Sequence, residues 1–354
     1  MKKSAIFVLL LILLSLSTAS ASVSVSANTF IQKKTDQQIV TPTPNAFYFT
    51  LDTAKLHTLL LSGKHIQIFD FPLSDNISVT LDLKQGRSAF DSRTKCIVTT
   101  PNGDIEMNAP ELLVYRGTVL GEENSKVMLT FSAIGLLCSV HREDGSDYVF
   151  GQLRSSSDQT IYILLPEHEL LATAPFIPFY CMNDGIINQP NALTPIDQIF
   201  AEARSHKGGT FGTQAVNTTG LLEAEVAIEA DNDFYKAAGN TDTKVLSYIG
   251  ALFSMSSSIY EDEAHITFRI PWVKVWATTD PYGVKGDAYA LPDKAKNYWI
   301  ANYASVQRDL AHVMTSISYG GGGYGWYSLC DNNQSYSVSS PQTGHSYPTF
   351  AFTY

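Results

Sequence analysis

Eight histidines, four cysteines and a run of four glycines are the residues of this 354-residue chain whose chemistry depends most on spacing. A helix brings side chains at i and i+4 onto one face. Two His so placed can grip one Zn²⁺ and leave a coordination place open for an attacking water. The histidines are His57, His65, His141, His168, His206, His265, His312 and His345, and no two stand four apart. The nearest imitation is His168 with Glu169, where Ala172 takes the place of the second His. Pro166 and Pro175 flank it, so it reads as a solvated loop. The glycines Gly320 to Gly323 could open a phosphate loop, but that needs Lys and then Ser or Thr, and aromatic residues follow instead.

The cysteines are Cys96, Cys138, Cys181 and Cys330, too sparse for a disulfide scaffold in a chain this long. Cys96 and Cys138 lie in strand-like runs and read as core thiols or a local pair. Cys181, in PFYCMNDG, reads on its own as a disulfide partner or a buried free thiol.

The chain starts Met1, Lys2, Lys3, continues with an apolar run from Ala5 to Leu14, and then has small residues ending in an A-x-A site at Ala19 and Ala21. That is the pattern of a secretory signal peptide, so residues 1–21 are set aside and the product is expected to be secreted and extracellular. No Cys follows the apolar core, and no later run reaches the ~18 apolar residues a membrane helix needs, so no membrane anchor is expected. A net charge of −10 argues against nucleic acid as a partner, because phosphate binding requires a basic face.

The length calls for two domains. From about Phe47 to Leu165 apolar residues alternate in short runs, as with Ile77, Val79, Leu81 and Leu83, and turns such as Glu143, Asp144, Gly145 separate the runs. Period two predicts strands, so residues 22–185 read as a β-rich unit, an antiparallel sandwich or curled sheet. Residues 186–221 hold Pro190, Pro195, Gly208, Gly209, Gly212 and Gly220 with the cations Arg204, His206 and Lys207, a linker or a processing site cut near Arg204 or Lys207.

Residues 222–354 change to a mixed pattern. LEAEVAIEAD sets Ala224, Val226 and Ile228 against Glu223, Glu225 and Glu229, a half-buried strand. Asp242 or Thr243 can cap a helix with Val245, Ile249, Leu252, Phe253, Ile259 and Tyr260 on one face. HITFRIPWVKVWAT is a second strand, and Asp293 can cap a helix with Ala295, Trp299, Tyr303 and Val306 on one face. LAHVMTSIS reads as a third strand, after which the glycines reverse the chain into GWYSL and SYSVSS. Strand, helix, strand, helix, strand predicts an α/β layer with a mainly parallel sheet.

Four of these segments, LEAEVAIEADNDFY, DPYG from Asp280 to Gly283, YWIANYASVQRDLAHVMTS and GGGGYGWYSLCDNNQSYSVSS, resemble in their order the upper catalytic subdomain of metzincin zinc proteases, reprolysin-like branch. VYRGTVLGEENSKVMLTFSAIGLLCSVHREDGSDYVFG is similar to the propeptide of such enzymes. The resemblance implies a secreted zinc metalloendopeptidase zymogen acting on protein or peptide, with 22–185 as propeptide and 186–221 as activation segment. It places the zinc helix H-E-x-x-H-x-x-G-x-x-H after SYSVSS, so the chain is expected to stop short of it, with catalytic and metal residues beyond Tyr354 and no activity of its own.

Four finer expectations follow from the same resemblance. Cys181 would be an inhibitory fourth zinc ligand, and Cys330 would pair with a Cys beyond the zinc helix. Gly323, Tyr324, Gly325, Trp326 and Tyr327 would form the edge strand that binds extended peptide, although their aromatic bulk departs from the family's small residues. Glu223, Glu229 and Asp231 are candidates for a structural Ca²⁺, against the plainer reading of a solvated acidic face. The alternative function is a non-catalytic secreted β-rich binding or adhesion protein, or a degenerate relative that kept the fold.

Overall fold

The computed structural model describes residues 22–34, 45–153, 160–169, 220–283, 290–316, 323–325 and 335–339. The N-terminal part contributes strands β1 (Val23–Ser26), β2 (Ile31–Lys34), β3 (Phe47–Leu51), β4 (His65–Pro72), β5 (Ser78–Gln85), β6 (Lys95–Thr100), β7 (Gly103–Met107), β8 (Leu113–Val119), β9 (Lys126–Ser132), β10 (Gly135–His141), β11 (Asp147–Gln152) and β12 (Ile161–Pro166). A 3-10 turn (Ala27–Thr29) and one α-helix, α1 (Thr53–Ser62), interrupt them, the first turn of α1 capped by the Asp52 carboxylate accepting from the Lys55 N–H at 3.0 Å.

Ten of these strands form one sheet in the order β1-β4-β5-β8-β9-β10-β11-β12-β3-β2, antiparallel except for β1 beside β4. The period-two expectation is met at Leu81 and Leu83, which share a core with Ile66 and Ile68 of β4, and at Val79, which packs against it, but not at Ile77, which precedes β5 and is exposed. The sheet curls, because Phe71 of β4 and Phe150 of β11 lie 5.8 Å apart between ring centroids. Five strand spacings separate β4 from β11, which in a flat sheet would be roughly 24 Å.

After residue 220 come β13 (Leu222–Ala230), α2 (Asn232–Ala237), α3 (Asp242–Ala264), β14 (Ile266–Arg269), β15 (Trp272–Trp276), α4 (Ala290–Asn302), β16 (Leu310–Met314), β17 (Gly323–Gly325) and β18 (Tyr336–Ser339). HITFRIPWVKVWAT is two strands rather than one, broken at Ile270 and Pro271, because Pro has no N–H for the ladder. Thr241, not Asp242 or Thr243, is the N-cap of α3, while Asp242 accepts from the Tyr235 hydroxyl at 3.1 Å. Tyr303 and Val306 lie past the end of α4 yet still pack with Trp299 and Trp272.

The second sheet runs β17-β18-β16-β13-β15-β6-β7, with β14 on the first half of β13. β18, β16, β13 and β15 are parallel, and β17 alone among these C-terminal strands runs against its neighbour. The last two strands of the order come from the other half of the chain. The hairpin of β6 and β7 leaves the N-terminal sheet and pairs parallel with β15, Lys95 to Trp272 through Thr99 to Trp276. Cys96 and Val98 of β6 accordingly share a core with Val226, Ile228 and Val245, while the ten-stranded sheet keeps a core drawn from residues Ala27 to Leu164.

Helices cover both faces of this sheet. Val226, Ile228 and Ala230 face α3, while Ala227 packs with Trp299 of α4. Being covered on both faces is the usual condition of parallel strands, and it overrides the alternation read from LEAEVAIEAD: the last five residues of β13 are all buried. Helix α3 is itself covered twice, because Ala251 and Met255 on its outer side pack against Leu137 and Val149 of the N-terminal sheet. Gly250 lets them approach, since a Cβ there would lie 2.3 Å from Leu112 Cδ1 and 2.6 Å from Phe90 Cε2. Among the described residues no helix is long and apolar enough to cross a membrane.

Candidate functional site

The parallel strands end in one place, and in α/β sheets the carboxyl ends of strands are where sites are built. Asp231 follows β13, its N–H donating to the Met314 carbonyl of β16 at 3.0 Å, and the Asn232 amide donates to the Trp276 carbonyl of β15 at 3.0 Å. The three strand ends are thereby laced together.

One residue back from that end, Glu229 points toward α4 and is fully buried. Its carboxylate accepts from two indole N–H groups, those of Trp276 and Trp299, and the Tyr282 side chain lies beside it. Burial pushes its pKa up to about 7, against the pull of those donors and with help from the neighbouring Asp231 charge. The Tyr282 phenol is raised too, first by burial and then by Glu229. On the face of Trp299 sits Arg308, its guanidinium 4.8 Å from the ring centroid and donating to the Tyr336 hydroxyl at 2.8 Å and the Val306 carbonyl at 2.8 Å. Trp299 therefore stands between a buried anion at its N–H and a buried cation on its face, favourable orientations for both. A carboxyl near pKa 7 is in the range of a general acid or base. At zero exposure Glu229 meets no substrate, so here it fixes α4 to the strand ends.

Beyond Glu229, the carboxylates of Asp231, Asp233 and Asp280 come within 4.8 Å of one another. Asp231 caps α2 by accepting from the Phe234 N–H at 2.7 Å, and Asp280 accepts from the Asn232 N–H at 3.1 Å and the Tyr282 N–H at 3.0 Å. This corrects the acidic trio read from the sequence. Glu223 lies at the far end of β13, bonded to Arg269 at 3.1 Å, and neither Glu229 nor Asp231 belongs to a solvated face. The Asp in DPYG was the available signal for the third carboxylate; its closeness to Asp231 depends on strand order, which spacing does not show.

The described histidines do not converge. His57 bonds Glu111 at 3.0 Å and His65 bonds Asp82 at 2.7 Å, while His141 pairs with Asp147. His312 of β16 reaches two hydroxyls of β18, Nδ1 to Ser337 at 2.7 Å and Nε2 to Ser339 at 2.8 Å, and burial lowers its pKa to about 4. Among the described residues the one cluster of potential ligands is the three Asp, hard oxygen donors without an imidazole or thiolate, and Zn²⁺ does not fit it. Cys96 and Cys138 are free, buried in different cores and raised to about 12 by burial, which rules out the local pair and makes them unreactive.

At one edge of the second sheet β17 is, among the described residues, the outermost strand, paired with β18: Gly323 to Ser339, Tyr324 to Val338 and Gly325 to Ser337. Its antiparallel direction agrees with a chain reversal at the glycines. Trp326 and Tyr327 lie outside the described residues, as do Cys181, Arg204, Lys207 and Cys330.

The topology and the strand-end cluster can now be set beside known proteins. Residues 223–351 match metallo-peptidase family M12, in its Reprolysin_5 form. This match supports a metallopeptidase. It begins within one residue of β13 and takes in every C-terminal element described above. No curated protein sequence matches the chain. Among solved structures, metalloproteinase-II from Bacteroides fragilis is similar at 11% identity and a TM-score of 0.43, over 80% of this chain and 77% of that one, a likeness too slight to build on.

Proposed function

We propose that this chain is part of a secreted zinc-dependent metalloendopeptidase precursor. Residues 222–354 would form catalytic-domain structure, 22–185 a propeptide and 186–221 an activation segment cut near Arg204 or Lys207. The observation that carries the reading is the M12 match over 223–351. Among the described residues β17 pairs on one side alone, which agrees with it, because an edge strand offers N–H and C=O groups at the spacing of an extended peptide. Gly323, Tyr324 and Gly325 would hold the substrate backbone there, with Trp326 and Tyr327 as further candidates for the same role. Cys181 would be the inhibitory thiolate of the latent form.

Zinc enters this reading through the family alone. Residues 1–354 contain no His pair at helical spacing, and the described side chains hold no set that suits the ion. The polypeptide 22–354 is therefore expected to purify without stoichiometric zinc and without chelator-sensitive peptidase activity. A polypeptide that also carries an H-E-x-x-H helix should gain both once its propeptide is removed. Metal analysis and a casein-type assay on the two decide the matter. Tight zinc in 22–354 would place the metal site among residues 1–354 after all, and an inert longer protein with the motif intact would favour a binding protein that kept the fold.

A further inference from the structure

Three features tie the halves of the chain together, and each is of a kind found inside a single folded unit. The first is the sheet edge. β15 has β13 on one side and β6 on the other, and the ladder is extended by Lys95 N–H to the Pro271 carbonyl at 3.0 Å and Ile270 N–H to the Ala89 carbonyl at 2.8 Å. Without β6, the buried strand WVKVW would present an open apolar edge. The second is a buried charge. Lys274 is 1% exposed, and its ammonium meets Asp104 of β7 while lying 4.7 Å over the Trp276 ring. Removing Asp104 takes away the anion that this buried cation is paired with across the two halves.

The third is the outer side of α3. Small residues on it admit the N-terminal sheet: Gly250 faces Leu112 and Phe90, Ser254 accepts from the Ala89 N–H at 2.9 Å, and Ala251 and Met255 share a core with Leu137 and Val149. At its end α3 carries Glu261, Asp262 and Glu263, placed against the sense of the helix dipole. Arg116 of β8 answers Glu261 at 2.6 Å and Asp262 at 3.7 Å, and Lys126 of β9 answers Glu263 at 3.9 Å.

We propose that the outer side of α3 and the free side of β15 form a binding surface whose partner is the chain's own segment 89–153, and that this segment stays bound after the connection between the halves is cut. Cleavage in the activation segment would then yield a two-chain complex, and release would need a second event that breaks the β6–β15 ladder. The inference rests on contacts between the halves and holds whether or not residues 222–354 belong to a peptidase.

The test uses the whole polypeptide 22–354 with the recognition sequence of a site-specific protease inserted between Gly208 and Gly209. After complete cutting, gel filtration at physiological salt should give one peak at the position of the uncut protein with both fragments in it. Fragments that separate without denaturant would overturn the proposal. Arg116→Glu serves as the second arm, because Arg116 is part-exposed and its reversal sets a carboxylate against Glu261 and Asp262. In the cut protein it should raise the dissociation constant on the order of tenfold at low salt, with the difference shrinking as salt is added. A cut Arg116→Glu protein that dissociates like the unsubstituted one at every salt concentration would show that this surface does not hold the halves.

Discussion

Replacing Glu229 by Gln removes one charge and keeps the shape of a side chain that sits between two indole N–H groups. Both donors now find a carboxyl oxygen; in the variant one of them meets an amide NH₂ instead, a donor facing a donor, which costs about 1–3 kcal/mol. The charge works in the other direction. Because Glu229 is raised from 4.5 to about 7, its contribution to stability is complete below pH 4.5 and is lost as pH rises through 7. At 1.36 kcal/mol per unit the loss approaches ~3 kcal/mol, of which about 2.5 kcal/mol falls between pH 5 and pH 8. Glu229→Gln is therefore expected to be the less stable protein at pH 5, with the gap closing by about 2.5 kcal/mol by pH 8. Urea unfolding of both proteins across that range measures it. Other groups titrate in the same window, notably His312, whose lowered pKa of about 4 makes stability rise between there and pH 6.5. They are common to both proteins and cancel in the difference. A gap that stays constant from pH 5 to pH 8 would refute the argument that Glu229 is buried against its ionisation.

Gly250→Ala sets about 1 kcal/mol of helix propensity against an overpacking cost of about 1–3 kcal/mol. Leu112 can swing aside but the Phe90 ring is stiffer, so a thermal melt should show a net loss of about 1 kcal/mol, and a gain would mean that the seam between α3 and the N-terminal sheet is loose. Limited trypsin digestion should cut first between about Ala201 and Gly220, near Arg204 or Lys207, as peptide mapping would show; first cuts within residues 77–150 would defeat the domain reading.

Periodicity made most elements legible, because each strand or helix that buries one face writes that face into the chain at two or at three-and-four spacing. The alternation of β4 and β5, both long helices of the C-terminal half and the reversal before β17 are of this kind. What escaped depends on a second covering layer. Glu229 alternates like a solvent residue and is buried because α4 lies over it; Ser254 and Ser258 look like the polar side of α3 and are buried because the other sheet lies over them. β6 reads as one arm of an ordinary hairpin, KCIVTT followed by a turn and GDIEM, which says nothing about whether its free side joins the near sheet or the far one. The strand-end cluster was missed for the same reason, since Asp231 and Asp280 meet only once β13 and β15 lie side by side.

The β6–β15 ladder also imposes an order of events on the growing chain. Lys95 pairs with Trp272, so 177 further residues must be made after Lys95 before its partner exists. At ~5–20 residues per second this is a wait of roughly 10–35 s. Until then the hairpin has its own inner pairing and lacks β15 on its other side, while the ten-stranded sheet around it can close as soon as β12 has been made. The first half of the molecule is thus a template that finishes folding only on meeting the second, and a block in synthesis or export between the two would leave a sticky edge as its signature.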